Sequence, residues 1–199
     1  MSDTTTAPAA ADAATQAALE RLNTVIDRLI APDGCPWDST QTPESLTEYV
    51  IEECHELVDA IRSGKTADMV EELGDVAFLI LLIGKLMARA GGPSLADALE
   101  VEAAKMVRRH PHVFSDTTYE SQSEQLKDWD RIKREEKAAA DAEGPKGTYD
   151  SLPRGLPPLT KAYRIHAKAD RVGFTWPENE DVEKQVEAEW LELLDAMAS

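Results

Sequence analysis

Large apolar side chains recur every three or four positions along most of this chain, and no stretch alternates as a half-buried strand would. The periodicity predicts helices throughout. Leu19, Leu22, Val25, Ile26 and Leu29 mark a first helix, from about residue 16 to residue 30. Pro32-Asp-Gly-Cys-Pro-Trp-Asp38 ends it, because two prolines and Gly34 disfavour continuation. Leu46, Val50, Leu57 and Ile61 mark a second helix, with Thr42 as N-cap and Pro43 at its first position, running to about Arg62. Ser63-Gly64 reads as a turn, with Gly64 suited to a left-handed position. A third helix runs from Thr66 to about Arg89, and its middle, Val76 to Ile83, is apolar all round. That pattern predicts burial on several sides, in a bundle core or an oligomer interface. Gly91-Gly92-Pro93 stops it, and Ser94 with Asp97 forms a capping-box signal for a fourth helix ending in Lys105 to His110. A polar helix over about 121–141 and two further helices, about 159–171 and 182–198, complete the pattern. The expected fold class is all-α.

Composition shifts divide the chain. Residues 1–18 are rich in Thr, Ala and Pro and read as a disordered tail. Residues 19–142 read as one helical domain, 143–158 as a linker rich in Gly and Pro, and 159–199 as a further helical segment.

One residue breaks the second helix's stripe. Glu53 stands between Val50 and Leu57, and an acid on an apolar face tends to mark a functional site. It pairs with Glu56 three residues on, and Glu72 with Asp75 repeats the spacing on the third helix. Glu53 lies eleven residues before Gly64 and Asp75 eleven after; Glu56 and Glu72 lie eight before and eight after. If the helices run antiparallel from Gly64, the acids meet level by level, roughly 12 and 16 Å from the turn. Carboxylates that close repel unless a cation sits between them. Oxygen ligands favour Mg²⁺, with Mn²⁺ as a substitute. Such a site can take phosphate oxygens and activate water. The competing reading is a solvated acidic face. Glu52-x-x-His55 also matches an element of di-iron bundles, but those need a second copy. Val107, Arg109 and Tyr163 stand where the other histidines would require Glu.

Two cation-bearing pairs follow. Lys105 and Arg109 share one helix face, as do Trp129 and Lys133 on the next helix. They could hold phosphates and stack on a base. Equally, Lys105 and Arg109 could complement a helix C-terminus and Trp129 could anchor a core. Trp37 could close over a ligand or plug the core.

Charge and cysteines narrow the classes further. With 21 basic and 38 acidic residues the net charge is −17, which argues against a nucleic-acid polymer as partner. Cys35 and Cys54 make neither a disulfide framework nor a metal-site spacing. No apolar run has transmembrane length and no signal peptide is evident, so no membrane partner and a cytoplasmic location are expected.

Gly34-Cys-Pro-Trp-Asp38, Glu52-Glu-x-x-Glu56, Glu72-Leu-Gly-Asp75 and Arg108-Arg-His-Pro-His-Val-Phe114 follow one another in this order. Trp129-x-x-Ile-Lys133-x-Glu-Glu136 and Ser151-Leu-Pro-Arg154 come after them. The ordered set resembles the MazG family of nucleoside triphosphate pyrophosphohydrolases. The resemblance implies a helical bundle of the all-α NTP pyrophosphatase type, with its site in an antiparallel helix hairpin. It implies Mg²⁺-dependent hydrolysis of NTPs or dNTPs between the α and β phosphates, giving the monophosphate and pyrophosphate. It implies Glu53, Glu56, Glu72 and Asp75 as metal ligands, and Glu52 as an assisting acid or water activator. It places Lys105, Arg109, Trp129 and Lys133 against phosphates and base, with Trp37 in the candidate substrate-binding set. It implies a homodimer or homotetramer. Gly173-Phe-Thr-Trp-Pro177 and Glu189-x-x-Glu192 resemble the start of a degenerate second repeat, with Ala188 in place of its first acid. The alternative is a non-catalytic helical interaction or regulatory protein that keeps the fold. The complete acid quartet speaks against it.

Overall fold

The computed structural model describes residues 6–140, 149–150, 152–170, 173–174, 176 and 178–198. Among them the regular elements are helices: α1 (Thr6–Leu29), a single 3-10 turn (Asp38–Thr40), α2 (Thr47–Ser63), α3 (Thr66–Arg89), α4 (Leu95–Arg109), α5 (Pro111–Phe114), α6 (Gln122–Ala140), α7 (Pro158–Asp170) and α8 (Asn179–Ala198). The class is all-α, as expected. The chain divides into two compact units, Met1–Ser121 and Gln122–Ser199. The division falls ahead of α6, which the sequence pattern had grouped with the first domain. Most of the expected linker, residues 141–148, lies outside the described residues.

In the first unit α3 is the central element and packs on α1, α2 and α4. Its Leu79, Leu81, Leu82 and Leu86 join Ile26 and Ile30 of α1 and Leu46 ahead of α2 in one buried cluster. Leu22, Val50, Phe78, Ile83 and Leu95 close around it. The apolar middle of α3 is therefore covered largely by the chain's own helices. Ile80 is the exception, 49% exposed. Gly84 admits α4: a Cβ there would lie 2.7 Å from the Leu95 Cβ. Two polar contacts fix α1 against α3. Lys85 Nζ lies 2.7 Å from Asp27 Oδ1. Arg89 Nη1 donates to the Ile30 carbonyl at 3.0 Å, covering an acceptor at the helix end. Leu82 is fully buried at the middle of this cluster. Leu82→Ala should cost about 2–5 kcal/mol, read as a lower urea midpoint at unchanged m-value.

Several boundaries differ from the sequence pattern. Helix α1 begins at Thr6, so residues 6–18 are helical where a disordered tail was expected; residues 1–5 lie outside the described set. The segment is rich in alanine, the strongest helix former, which sustains a helix without an apolar stripe. Helix α2 begins at Thr47, not at Pro43. Thr42 does cap, but it caps a preceding turn: its Oγ1 accepts from the Ser45 N–H at 3.2 Å, and Ser45 Oγ accepts from the Thr42 N–H at 3.0 Å. On α2 the buried residue near the C-terminus is Ala60, while Ile61 is 56% exposed. Ser94 and Asp97 form the expected reciprocal capping box of α4.

In the second unit Arg131 holds Asp128 at 2.6 Å and Glu135 at 2.8 Å along α6, bridging both helical neighbours. Helix α7 ends where the Phe174 N–H donates to the Ala169 carbonyl at 3.0 Å, with Gly173 at φ 83°. Helix α8 carries Val186, Trp190, Leu193 and Met197 on one side, all exposed. Among the described residues no helix is long and apolar enough to cross a membrane.

Candidate active site

The site begins with the turn that joins α2 to α3. Gly64 takes φ 71°, a left-handed conformation that only glycine adopts without strain. Its N–H donates to the Ile61 carbonyl at 3.3 Å. Ser63 Oγ donates to the Ala60 carbonyl at 2.9 Å and accepts from the Lys65 N–H at 3.3 Å. With so short a connection the helices fold back on each other, and their register is set by counting from Gly64.

That register brings the acids together. One carboxylate oxygen each from Glu53, Glu56 and Glu72 lies within 4.8 Å of the others. Glu53 and Glu72 are half-buried and Glu56 is exposed. Partial burial pushes the carboxyl groups of both Glu53 and Glu72 above the ordinary range, and neighbouring carboxylates add to the effect. For Glu53 the leading neighbour is Asp75, followed by Glu56 and Glu52. For Glu72 it is Glu56, followed by Glu71, Glu53 and Asp75. These two leading pairs are the two levels counted from Gly64. Asp75 is electrostatically close to Glu53 but outside the tight group of three.

The donor set fits a hard divalent cation. It is all oxygen and all anionic, with oxygens close enough to share one ion at ligand distances of about 2.0–2.6 Å. A cation would also relieve the repulsion that raises Glu53 and Glu72.

One helical turn toward the start of α2 stands an aromatic pair. The Trp37 and Tyr49 rings meet edge to face, with centroids 5.6 Å apart and planes at 89°. Trp37 is anchored through its backbone: its carbonyl accepts from Thr40 Oγ1 at 2.9 Å and from Gln41 Nε2 at 3.0 Å. Asp38, next to it, is buried. Trp37 is thus not a core plug, since its side chain stays largely exposed. Tyr49 went unnoticed in the sequence. The available signal was its place at i−4 from Glu53 and i−7 from Glu56, on the same helix face.

Two of the remaining candidates, Lys105 and Arg109, lie on α4. Lys105 forms an ion pair with Glu102, one turn back on α4. Arg109, half-buried, closes the same helix. Lys133 and Trp129 belong to the second unit, where the Lys133 ammonium lies 4.2 Å from the Trp129 ring centroid.

Comparison with known proteins supplies the context for this geometry. Residues 41–114 match the MazG nucleotide pyrophosphohydrolase domain. The chain is 37% identical over 177 residues to the nucleoside triphosphate pyrophosphohydrolase/pyrophosphatase MazG of Thermotoga maritima, covering 89% of this chain and 66% of that protein. It is 37% identical over 159 residues to the nucleoside triphosphate pyrophosphohydrolase of Escherichia coli K12, covering 79% of this chain and 59% of that one. It thus spans less than two thirds of the length of both relatives. A solved structure, a MazG-related protein from Thermotoga maritima, aligns at 31% identity over 57% of this chain and 97% of its own, with a TM-score of 0.49.

Proposed function

This chain belongs to the MazG family of nucleotide pyrophosphohydrolases, and we propose that it hydrolyses nucleoside triphosphates between the α and β phosphates, using a divalent cation held in the α2–α3 hairpin. The observation that carries the reading is the Glu53, Glu56 and Glu72 cluster, which falls inside the family-matched residues 41–114.

Glu53, Glu56 and Glu72 would hold the cation, and Asp75, electrostatically close to Glu53, would be a further ligand. Mg²⁺ suits this all-carboxylate site, and Mn²⁺ substitutes for it. The cation supplies charge neutralisation for the polyphosphate and acidifies water. Glu52, adjacent to Glu53 on α2, takes the proton from the attacking water. The water oxygen bonds to the α-phosphorus as the bond from that phosphorus to the bridging oxygen breaks. The electron pair leaves on pyrophosphate, and the nucleoside monophosphate remains. Lys105 and Arg109 serve the phosphates, at the cationic end of α4. Ile51, Val58, Val70 and Leu73, exposed on α2 and α3, support a homodimer or homotetramer. A cytoplasmic nucleotide pool would supply the substrate.

The decisive assay incubates the protein with a panel of NTPs and dNTPs and follows products by phosphorus NMR. Monophosphate and pyrophosphate should appear with Mg²⁺ or Mn²⁺ and vanish with chelator. Orthophosphate as the first product would contradict the bond assigned. No turnover across the panel, with no cation binding by calorimetry, would leave the non-catalytic interaction protein.

A further inference from the structure

The geometry points to Tyr49 as the residue that positions Trp37 to receive the nucleobase of a bound nucleotide. The inference rests on the pyrophosphohydrolase reading and adds to it a positioning residue, Tyr49, that the motifs do not contain.

Four observations support it. Trp37 is 47% exposed and Tyr49 is 39% exposed, so the pair presents aromatic surface to solvent. Large aromatic rings are more often well buried than left open this way. The pair is nevertheless fixed. Thr40 and Gln41 hold the Trp37 carbonyl, and the rings meet in the edge-to-face geometry that aromatic pairs prefer. An exposed but anchored indole is suited to stacking on a planar ligand. Its location matches the chemistry. Tyr49, Glu53 and Glu56 occupy positions i, i+4 and i+7 of α2 and so share one face. Glu53 lies four positions on from Tyr49, a rise of about 6 Å. A base stacked on Trp37 would leave its sugar and polyphosphate running along α2 toward the carboxylates.

The mode of recognition follows. Every base has a π-face, so stacking on Trp37 tolerates all of them. Tyr49 does not need to touch the ligand. The edge-to-face contact sets the angle of the indole, and the Tyr49 hydroxyl is dispensable for that task. The predicted subsite therefore binds nucleotides through the base without reading hydrogen-bonding groups on it.

The test separates base recognition from everything else. Tyr49→Ala, Tyr49→Phe and Trp37→Ala are compared with wild type in steady-state kinetics, and inorganic triphosphate, which has no base, serves as competitive inhibitor. Trp37→Ala should raise KM for NTPs about tenfold, the usual scale for losing one stacking platform. Tyr49→Ala should raise it about fivefold, as expected for an edge-to-face pair, with kcat within about twofold. Tyr49→Phe should restore the wild-type KM. The inhibition constant of triphosphate should be the same in all four proteins. Equal KM values for wild type and Tyr49→Ala would overturn the inference while leaving the activity standing. So would a parallel loss of triphosphate affinity, which would mark Tyr49 as merely structural. An inactive wild type would remove the pyrophosphohydrolase reading and this inference with it.

Discussion

Glu53→Gln is expected to reduce turnover by about a thousandfold or more while making the cation-free protein melt at a higher temperature. Each tenfold in rate corresponds to about 1.4 kcal/mol of barrier, and a bound cation supplies several kcal/mol of charge stabilisation in the transition state. Glutamine keeps the volume and one oxygen of Glu53 but removes the charge that the cation needs. The stability effect has the opposite sign. Glu53 and Glu72 both sit above the ordinary carboxylate range in the folded protein, through partial burial and then mutual repulsion. The folded state therefore keeps these protons to higher pH than the unfolded chain does. Their contribution to stability is greatest below the ordinary carboxylate range and falls as pH rises through the raised values. At neutral pH the ionised cluster is a net cost, and removing one charge relieves it.

A rise of roughly 2 °C in the cation-free melting temperature is the expected scale. Wild-type protein should gain stability from Mg²⁺ by mass action, about 2.7 kcal/mol at a hundredfold excess over Kd. Glu53→Gln should lose most of that gain. Scanning calorimetry with and without Mg²⁺, at pH 7 and at pH 5, measures all three effects. Wild-type turnover in the variant, or an undiminished response to Mg²⁺, would remove Glu53 from the ligand set.

The hairpin was legible in the sequence because its determinants are local. Gly64 sets a turn, and equal counts on either side of it set which acids meet. That Asp75 is the leading neighbour of Glu53, and Glu56 that of Glu72, follows the same counting. The Ser94 and Asp97 box was legible for the same reason, since both partners lie within one turn of helix. What failed depended on tertiary context. Ile61 fits the apolar period of α2, yet Ala60 is the buried residue, because the line of contact with α3 favours the neighbouring position. Thr42 is chemically a good cap, but the chain spends it on a turn and enters α2 only at Thr47. Trp37 could not be placed from spacing, since its partner Tyr49 lies across a loop and a turn. The division of the chain ahead of α6 was equally invisible. Motif order says which residues occur, whereas the contacts that define a unit depend on how helices pack.

Gly34→Ala is expected to be the most damaging substitution of a glycine, by about 2–3 kcal/mol. The reason is space rather than backbone conformation. A Cβ at Gly34 would press into the carbonyl oxygens of Leu29 and Arg28, well inside van der Waals contact, and lie 2.9 Å from the Ala31 oxygen. All three are backbone atoms at the end of α1, so no side chain can swing aside. The bonds that stop the helix would be disturbed with them. The Gly34 N–H donates to the Ala31 carbonyl and the Cys35 N–H to the Leu29 carbonyl, each at 2.8 Å. Arg28 and Asp33, paired at 2.9 Å, close the same loop from outside. Trp37 follows three residues later, so the displaced segment is the one that carries the aromatic pair. The substitution should thus lower the urea midpoint and also raise KM for nucleotides in whatever fraction stays folded. Gly74→Ala provides the contrast. It lies within α3, where a Cβ would meet nothing within 4 Å. Replacing a helical glycine by alanine with no clash should stabilise the protein by up to about 1 kcal/mol. If the two variants shifted the urea midpoint in the same direction, close packing of the α1 terminus against Gly34 would not be what holds the Trp37 loop in place.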